Sequence, residues 1–274
     1  KFQLGVVAPE ISVVYRFGLA AICVFMFARI AGSPMRLSWR EHRFVALQGL
    51  TLFCLNYWMT YLSTQFLTSG LVAVLFTSVI LLNLINARFF FGIPVEARVL
   101  LAAVTGTLGV ALLFLPELEA AMGDRTVTHG VLLALGATYL ASLGNMAAMR
   151  NTQSGMPVVT ANAYGMAYGT LGLALIAFIR GAPVDFDPSW PYVVSLLYLS
   201  LAGTSLAFGL YLVLIKRIGP SRAAYTSVLF PVIALIVSTV FEGYRWNLSA
   251  FIGLAVLLGG NALALSRRAR QSTA

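Results

Sequence analysis

Charge is scarce in this sequence. Asp, Glu, Lys and Arg together make up 10% of the 274 residues, whereas hydrophobic residues make up 59%. An average soluble domain carries roughly 25% charged residues, so this composition excludes an ordinary soluble domain. The formal net charge of +9 is concentrated between the apolar runs, and for that reason it does not indicate nucleic acid as a partner. We therefore expect an all-α integral membrane protein whose main partner is the lipid bilayer.

Cysteine and histidine are also rare, with two residues of each. Cys23 and Cys54 fall inside apolar runs, where a thiol is usually a small apolar filler, and His42 and His129 stand in no metal-ligand spacing. The sequence contains no zinc, phosphate-loop or nucleophile motif. It also lacks the cluster of His, Asp, Glu or Cys at bilayer depth that a membrane-embedded enzyme, the alternative from another functional class, would need. We expect no disulfide, no metal and no cofactor.

Apolar runs long enough to cross a bilayer recur along the whole chain, and short connections join them. A transmembrane helix needs about 20 apolar residues to cross about 30 Å of hydrocarbon. Nine such runs are present, at residues 11–31, 44–65, 69–91, 99–115, 129–149, 157–179, 191–214, 221–241 and 247–265. They predict a compact, multi-pass helical bundle.

The cations and the acids occupy alternate connections between these spans. Thirteen of the eighteen Lys and Arg residues lie on one side, which includes the basic tail at residues 267–274, and seven of the nine acids lie on the other. The positive-inside rule makes the basic side and the C-terminus cytoplasmic. This orientation places Lys1 outside, so we expect one further N-terminal helix to precede it in the natural protein.

With that helix, ten spans divide into two sets of five, and an odd number of spans per half places the halves in opposite orientations. When the chain is shifted by 151 residues against itself, Gln65–Gly92 overlies Lys216–Gly243 without a gap. We therefore predict a ten-helix bundle of two inverted five-helix repeats. The first repeat, lacking its first helix, occupies residues 1–116, and the second occupies residues 128–266.

The run YLVLIKRIGPSRAAYTSVLFPVIALIVSTVFEG, Tyr211 to Gly243, resembles the signature of the bacterial drug/metabolite transporter superfamily. In that signature a basic turn ends one helix, small residues open the next, and a Pro and a closing Glu follow. The resemblance implies a ten-helix inner-membrane transporter with both termini cytoplasmic, and it is closest to exporters of amino acids, including aromatic ones. The first half departs from the pattern, because the 151-residue shift places Ile80 and Phe91 where the second half has Pro231 and Glu242.

Polar and aromatic groups at mid-depth are the candidates for a solute path, since polar groups inside a membrane usually face the bundle interior. Tyr57 and Tyr61 stand one helical turn apart and therefore share a face. Rings supply contact area and a few polar groups fix orientation, which suits a small solute that is mostly apolar or planar. The predicted substrate-binding residues are Asn56, Tyr57, Trp58, Tyr61, Ser78, Asn83, Tyr139, Tyr168, Ser205 and Ser227.

Deep charges are almost absent, and this narrows the choice of solute. Arg16 is the one cation well inside a span, where it either snorkels, pairs with Glu10 or binds a solute. Buried cations would favour a nucleotide sugar and a deep carboxylate would favour a quaternary amine, and these two carriers remain the alternatives within transport. Because no Asp or Glu lies at mid-span, we expect uncoupled flux or exchange by alternating access.

Proline and glycine mark the places where helices bend or approach closely. Pro231 lies in the middle of a span, where it forms either a static kink or a gating hinge. Spans 99–115 and 247–265 contain five glycines, Gly106, Gly109, Gly253, Gly259 and Gly260. We expect these two spans to pack closely at the periphery of the bundle or in a homodimer contact.

Overall fold

The computed structural model of the chain describes residues 7–67, 69–95, 97–113, 115, 119, 125–207, 210, 239 and 246–265. In these ranges every regular element is helical. The α-helices are α1 (Pro9–Ile30), α2 (Trp39–Gln48), α3 (Asn56–Ser63), α4 (Ser69–Thr77), α5 (Val79–Phe91), α6 (Ala97–Leu113), α7 (Arg125–Gln153), α8 (Val158–Ile179), α9 (Trp190–Leu197) and α10 (Leu248–Leu265). Two π-helical segments, π1 (Gly49–Leu55) and π2 (Tyr198–Leu206), continue α2 into α3 and extend α9.

The helices coincide with the predicted spans. Four helical stretches are long and apolar enough to cross a membrane: Pro9–Ile30, Val74–Phe91, Arg125–Gln153 and Val158–Ile179. Shorter apolar helices cover Val99–Leu113, Trp190–Leu206 and Leu248–Gly260, and predicted span 44–65 corresponds to the continuous run α2–π1–α3. The multi-pass helical architecture is thereby confirmed. Predicted span 221–241 lies outside the described residues.

The chain divides into two compact units. Unit 1 comprises Lys1–Leu62 and Tyr139–Leu214, and unit 2 comprises Ser63–Thr138 and Ile215–Ala274. Helix α7 therefore contributes its second half to unit 1 and its first half to unit 2.

Helices α1 and α8 form the centre of unit 1 and run antiparallel. Glu10 near the start of α1 contacts Arg180 after the end of α8, and further along α1 the Phe25 ring lies 5.0 Å from that of Tyr164. The buried positions of α1 recur at helical spacing and include Val13, Phe17, Ala20, Val24 and Ala28, so they form one stripe that faces α8.

Glycines on α8 let π1 approach its backbone. A Cβ atom at Gly169 would lie 2.7 Å from Cβ of Phe53, and one at Gly165 would lie 3.3 Å from the Phe53 ring. A Cβ atom does not tolerate contacts shorter than about 3.0 Å, so a residue of α8 that faces π1 this closely has to be glycine. The wide turn of π1 is thus held tightly against α8.

Three buried amides tie α2, α7 and α8 together inside unit 1. Gln48 donates from Nε2 to Oδ1 of Asn162 over 3.1 Å, and Asn151 donates from Nδ2 to Oε1 of Gln48 over 3.0 Å. Gln48 and Asn151 have no exposed surface. Buried amides are costly unless they are hydrogen-bonded, and this chain of bonds satisfies both polar ends of Gln48.

Unit 2 is built around α6 and α10, which pack backbone against backbone. A Cβ atom at Gly253 would lie 2.6 Å from the carbonyl oxygen of Gly109 and 2.6 Å from the nitrogen of Leu113. A Cβ atom at Gly260 would lie 3.0 Å from the Gly106 nitrogen. The predicted close packing of these glycines is therefore present within the chain. Gly259 differs, because no described atom lies within 4 Å of a Cβ placed there.

Unit 2 also contains a helix break inside predicted span 69–91. The hydroxyls of Thr77 and Ser78 donate to the carbonyl oxygens of Val74 and Leu75, three residues back, over 2.6 Å each. The backbone nitrogen of Ser78 likewise donates to Leu75 O, which tightens the turn. Hydroxyls that return to the backbone are a recognised cause of such interruptions.

Candidate functional site

A buried carboxylate lies at the end of unit 1 where α1 begins. Glu10 follows Pro9, which starts the helix, and its residue surface is 4% exposed. Its Oε1 atom accepts a hydrogen bond from the indole Nε1 of Trp58 over 3.0 Å and lies 3.0 Å from Nε of Arg180. Glu10 therefore connects α1 to α3 and to the end of α8.

Arg180 completes this arrangement from the solvent-facing side. Its side chain is 54% exposed, and its guanidinium carbon lies 5.5 Å from the centroid of the Trp58 ring system. A cation over an indole face is attracted to the ring. The buried charge of Glu10 is thus neutralised by a partner that itself keeps its hydration, which lowers the cost of burying the pair.

Arg16 lies about 1.7 helical turns beyond Glu10 along α1, among aromatic rings. Its guanidinium carbon is 5.0 Å from the centroid of the Tyr57 ring and 5.3 Å from that of Phe17. The rings of Tyr57 and Phe17 meet edge to face at 4.6 Å. The rings thereby restrict where the guanidinium can lie.

Arg16 does not form the ion pair with Glu10 that was one of the expectations, since Glu10 is paired with Arg180. The Nε atom of Arg16 is enclosed and has no hydrogen-bond partner among the described residues. An unpaired, charged donor is an uncommon feature in a folded protein.

Three of the predicted binding residues, Tyr57, Trp58 and Tyr61, are brought together here. All three pack against the same apolar core. We call this group, with Glu10 and Arg16, the α1–α3 site. From the sequence, Glu10 is counted among the acids of the connections between spans. Glu10 nevertheless lies three residues before Val13 and seven before Phe17, in helical register with the buried stripe of α1. That spacing is the sequence signal that predicts its burial.

Asn56 and Ser205 also lie in unit 1, where their polar groups bond mainly to the backbone. Asn56 donates from Nδ2 to the Leu52 carbonyl over 3.2 Å, while its buried Oδ1 has no partner among the described residues. The Ser205 hydroxyl donates to the Ser200 carbonyl over 2.9 Å, and Ala20 O lies at 3.5 Å. Asn56 thus keeps one unused acceptor, whereas the Ser205 hydroxyl is engaged by its own π-helical turn.

Tyr168 stands near the middle of α8, and its side chain contacts His42 of α2. Its hydroxyl and Nδ1 of His42 are 2.9 Å apart, and the His42 ring packs edge-on against Tyr164 at 5.2 Å. The Tyr164 hydroxyl in turn donates to the Met35 carbonyl over 2.8 Å. Tyr168 therefore lies in a separate polar cluster with His42 and Tyr164, away from the α1–α3 site.

The remaining predicted residues are dispersed. Tyr139 is 46% exposed on α7, and Ser78 and Asn83 belong to unit 2, where the Ser78 hydroxyl is engaged at the helix break. Ser227 and Pro231 lie outside the described residues. Within the described ranges, no three His, Cys, Asp or Glu side chains are grouped closely enough to hold a metal ion.

Comparison with known proteins identifies the family. The profile of the EamA-like transporter family matches residues 128–266, about half of the chain. The chain belongs to this family. The match covers the proposed second repeat and confirms the resemblance to drug/metabolite transporters.

Curated relatives of this EamA-like protein are transporters too. It is 24% identical over 258 residues to the transporter YvbV of Bacillus subtilis, which covers 94% of this chain and 81% of YvbV. It is 25% identical over 245 residues to the inner membrane transporter YedA of Escherichia coli K12, covering 89% of this chain and 77% of YedA. Together with the apolar helices, these matches describe a multi-pass transporter of the inner membrane.

The same fold is present in a solved structure. A protein of known crystal structure superposes with a TM-score of 0.73 over 97% of this chain and 91% of its own length, at 18% sequence identity. Likeness at that identity supports the fold alone.

Proposed function

We propose that this EamA-like protein exports small metabolites, amino acids including aromatic ones, by alternating access, with the α1–α3 site as part of its central cavity. The observation that carries the proposal is the convergence of Tyr57, Trp58 and Tyr61 around charged groups of both signs. Rings provide area for an apolar side chain, and a few polar groups fix its orientation. Glu10 and Arg16 supply those polar groups.

The proposed architecture is a ten-helix bundle of two inverted repeats, and the contacts between α6 and α10 support it. The 151-residue shift that aligns the two halves carries the start of α6, Ala97, onto the start of α10, Leu248. The same shift also maps a close contact between α6 and α10 onto a second close contact between the same two helices. The approach of a Cβ atom at Gly109 to the Gly253 carbonyl oxygen, at 2.8 Å, becomes that of a Cβ atom at Gly260 to the Ala102 carbonyl oxygen, at 3.1 Å. Such an exchange is expected of two helices related by a two-fold axis in the membrane plane.

The proposed orientation places the C-terminus in the cytoplasm, because the cations follow the connections on that side. In this orientation the α1–α3 site belongs to the outer half of the bundle. Pro231 is proposed as a gating hinge of the second repeat, and the homodimer remains an open prediction.

The proposal is tested by transport into liposomes that contain the purified protein. Labelled tryptophan, phenylalanine, threonine, a nucleotide sugar and a quaternary amine are compared, with and without an imposed proton gradient. Saturable flux of amino acids that does not depend on the gradient is expected. Flux of the nucleotide sugar or the amine alone would reject the proposed solute, and flux that needs the gradient would show that transport is coupled to protons and reject uncoupled flux.

A further inference from the structure

We propose that Arg16 binds the carboxylate of the transported solute, so that the α1–α3 site selects carboxylate-bearing solutes with an apolar or aromatic side chain. This inference rests on the proposed transport of amino acids. It specifies which group of the solute is bound and which residue binds it.

One donor of the Arg16 guanidinium, Nε, has no hydrogen-bond partner among the described residues. Phe17 and Tyr57 hold the side chain by contacts to its guanidinium carbon. A carboxylate binds Arg in a fork, with one oxygen on Nε and the other on an Nη nitrogen. Because Nε is enclosed in the described conformation, the surrounding side chains have to move apart before a carboxylate can reach this donor and satisfy it.

The charge balance points to the same ligand. A cation inside a span is costly unless an anion accompanies it, and Arg16 has no ion pair among the described residues. The nearest carboxylate along α1, Glu10, is committed to Arg180 and Trp58 through one oxygen. A solute carboxylate supplies the missing counter-charge, whereas a neutral or cationic solute leaves it missing.

Arg16 is the better candidate of the two cations near the site. Arg180 is 54% exposed and already paired, so water competes for it and Glu10 occupies it. Arg16 is partly buried and flanked by Tyr57 and Tyr61, where charge-assisted hydrogen bonds gain strength from the lower dielectric. The flanking rings are also placed to contact the side chain of a solute whose carboxylate is held at Arg16.

The first experiment compares ligands that differ only in the carboxylate. Phenylalanine is paired with phenylalaninamide, and phenylacetate with phenylacetamide, and each is titrated against the purified protein while the melting temperature reports binding. We expect the carboxylate member of each pair to bind at least tenfold more tightly, which corresponds to about 1.4 kcal/mol. Equal binding within both pairs, or binding of neither carboxylate, would overturn the inference.

The second experiment asks whether Arg16 makes this distinction. Arg16→Gln should weaken the carboxylate members tenfold or more and leave the amide members unchanged, and Arg16→Lys, which keeps the charge but not the fork, should fall between. Arg29→Gln is the matched control, because Arg29 is exposed at the other end of the same helix. If the Arg16→Gln variant does not fold, the Arg16→Lys variant is compared with wild type instead. Equal weakening of both members by either variant would make Arg16 a structural residue and reject the inference.

Transport separates this inference from the proposed function. If Arg16 discriminates carboxylates in the binding assay but liposomes move no amino acid, the proposed solute is wrong and the inference stands. If phenylalanine moves equally well through wild type and Arg16→Gln, the proposed function stands and the inference is rejected.

Discussion

The indole Nε1 of Trp58 donates a hydrogen bond to Oε1 of Glu10 over 3.0 Å, although 48 residues separate the two along the chain. The bond joins α1 to α3 at the α1–α3 site, and Arg180 brings in the end of α8 at the same oxygen. One carboxylate oxygen therefore fixes three helices around a cluster of rings, and its neighbours are the natural targets for substitution.

Trp58→Ala should reduce transport by about tenfold while the protein remains folded and inserted, because it removes ring area from the site and one donor from Glu10. Trp58→Phe keeps most of the area and should cause a smaller loss. Initial rates in liposomes measure both effects. Trp39→Ala is the matched control, since Trp39 is 80% exposed. Unchanged flux in the Trp58→Ala variant would exclude Trp58 from the site.

Glu10→Ala should destabilise the protein more than Glu10→Gln does. The Gln side chain retains an oxygen that can accept from Trp58, whereas Ala leaves a buried indole N–H unsatisfied at a cost of about 1 to 3 kcal/mol. Melting temperatures in one detergent measure the difference. Arg180→Gln should also destabilise the protein, because it leaves the buried carboxylate of Glu10 without its counter-charge. Equal losses for Glu10→Gln and Glu10→Ala would instead make the negative charge the stabilising feature.

Gly253→Ala should lower the melting temperature of the protein, whereas Gly259→Ala should leave it unchanged or raise it slightly. At Gly253 the new methyl group would meet backbone atoms at 2.6 Å, and overpacking of this kind costs about 1 to 3 kcal/mol. At Gly259 the same change meets no described atom and improves helix propensity by up to about 1 kcal/mol. The two variants share their chemistry, so a similar effect of both would contradict the close packing of α6 against α10.

Gln48→Leu should destabilise unit 1, since it leaves the Asn151 amide donor and the Asn162 acceptor without the partner that each now has. Each unsatisfied buried group costs about 1 to 3 kcal/mol. Thr152→Ala serves as the comparison, because its exposed hydroxyl bonds only to its own helix. A loss no greater than that of Thr152→Ala would show that the amide chain contributes little to stability.

The first turn of α2 should loosen in acid. Glu41 is exposed, and hydrogen bonds from the Ser38 hydroxyl and backbone N–H hold the pKa of its carboxyl below the ordinary value. A lowered pKa in the folded state means that the cap stabilises the turn above the ordinary pKa and is lost as pH falls through the lowered one. Amide exchange at residues 39–42, corrected for its intrinsic pH dependence, measures this. Ser38→Ala should reduce the acid effect, because it removes the hydroxyl donor but keeps the backbone N–H, and an unchanged profile would contradict the prediction.

Much of the helical layout follows from the sequence, because long apolar runs and short polar connections leave few other solutions in a bilayer. Tyr57 and Tyr61 could also be placed on one face from their spacing alone. The involvement of Glu10 and Arg180 could not be predicted in this way, since the two residues are far apart in the sequence. Their pairing depends on the antiparallel alignment of α1 and α8, a long-range relationship that local patterns do not encode.

Tyr168 illustrates the reverse difficulty. Its depth in a span predicts a residue that lines the solute path. The hydroxyl of Tyr168 nevertheless lies 2.9 Å from Nδ1 of His42, for which the sequence predicts no functional role. Which face of a helix turns towards a cavity depends on how neighbouring helices pack, and apolar residues on every side of α8 leave that direction undetermined.

The wide turn of π1 has a consequence for how the α1–α3 site is specified. Each residue added to or removed from a helix rotates everything beyond it by about 100°, and a π-helical turn contains a surplus residue relative to an α-helical one. Deleting one residue from 49–55 would restore regular winding and swing Trp58 away from Glu10, even though every side chain of the site would still be present. The contact between Trp58 and Glu10 therefore depends on the number of residues between Gln48 and Asn56 as well as on which residues they are.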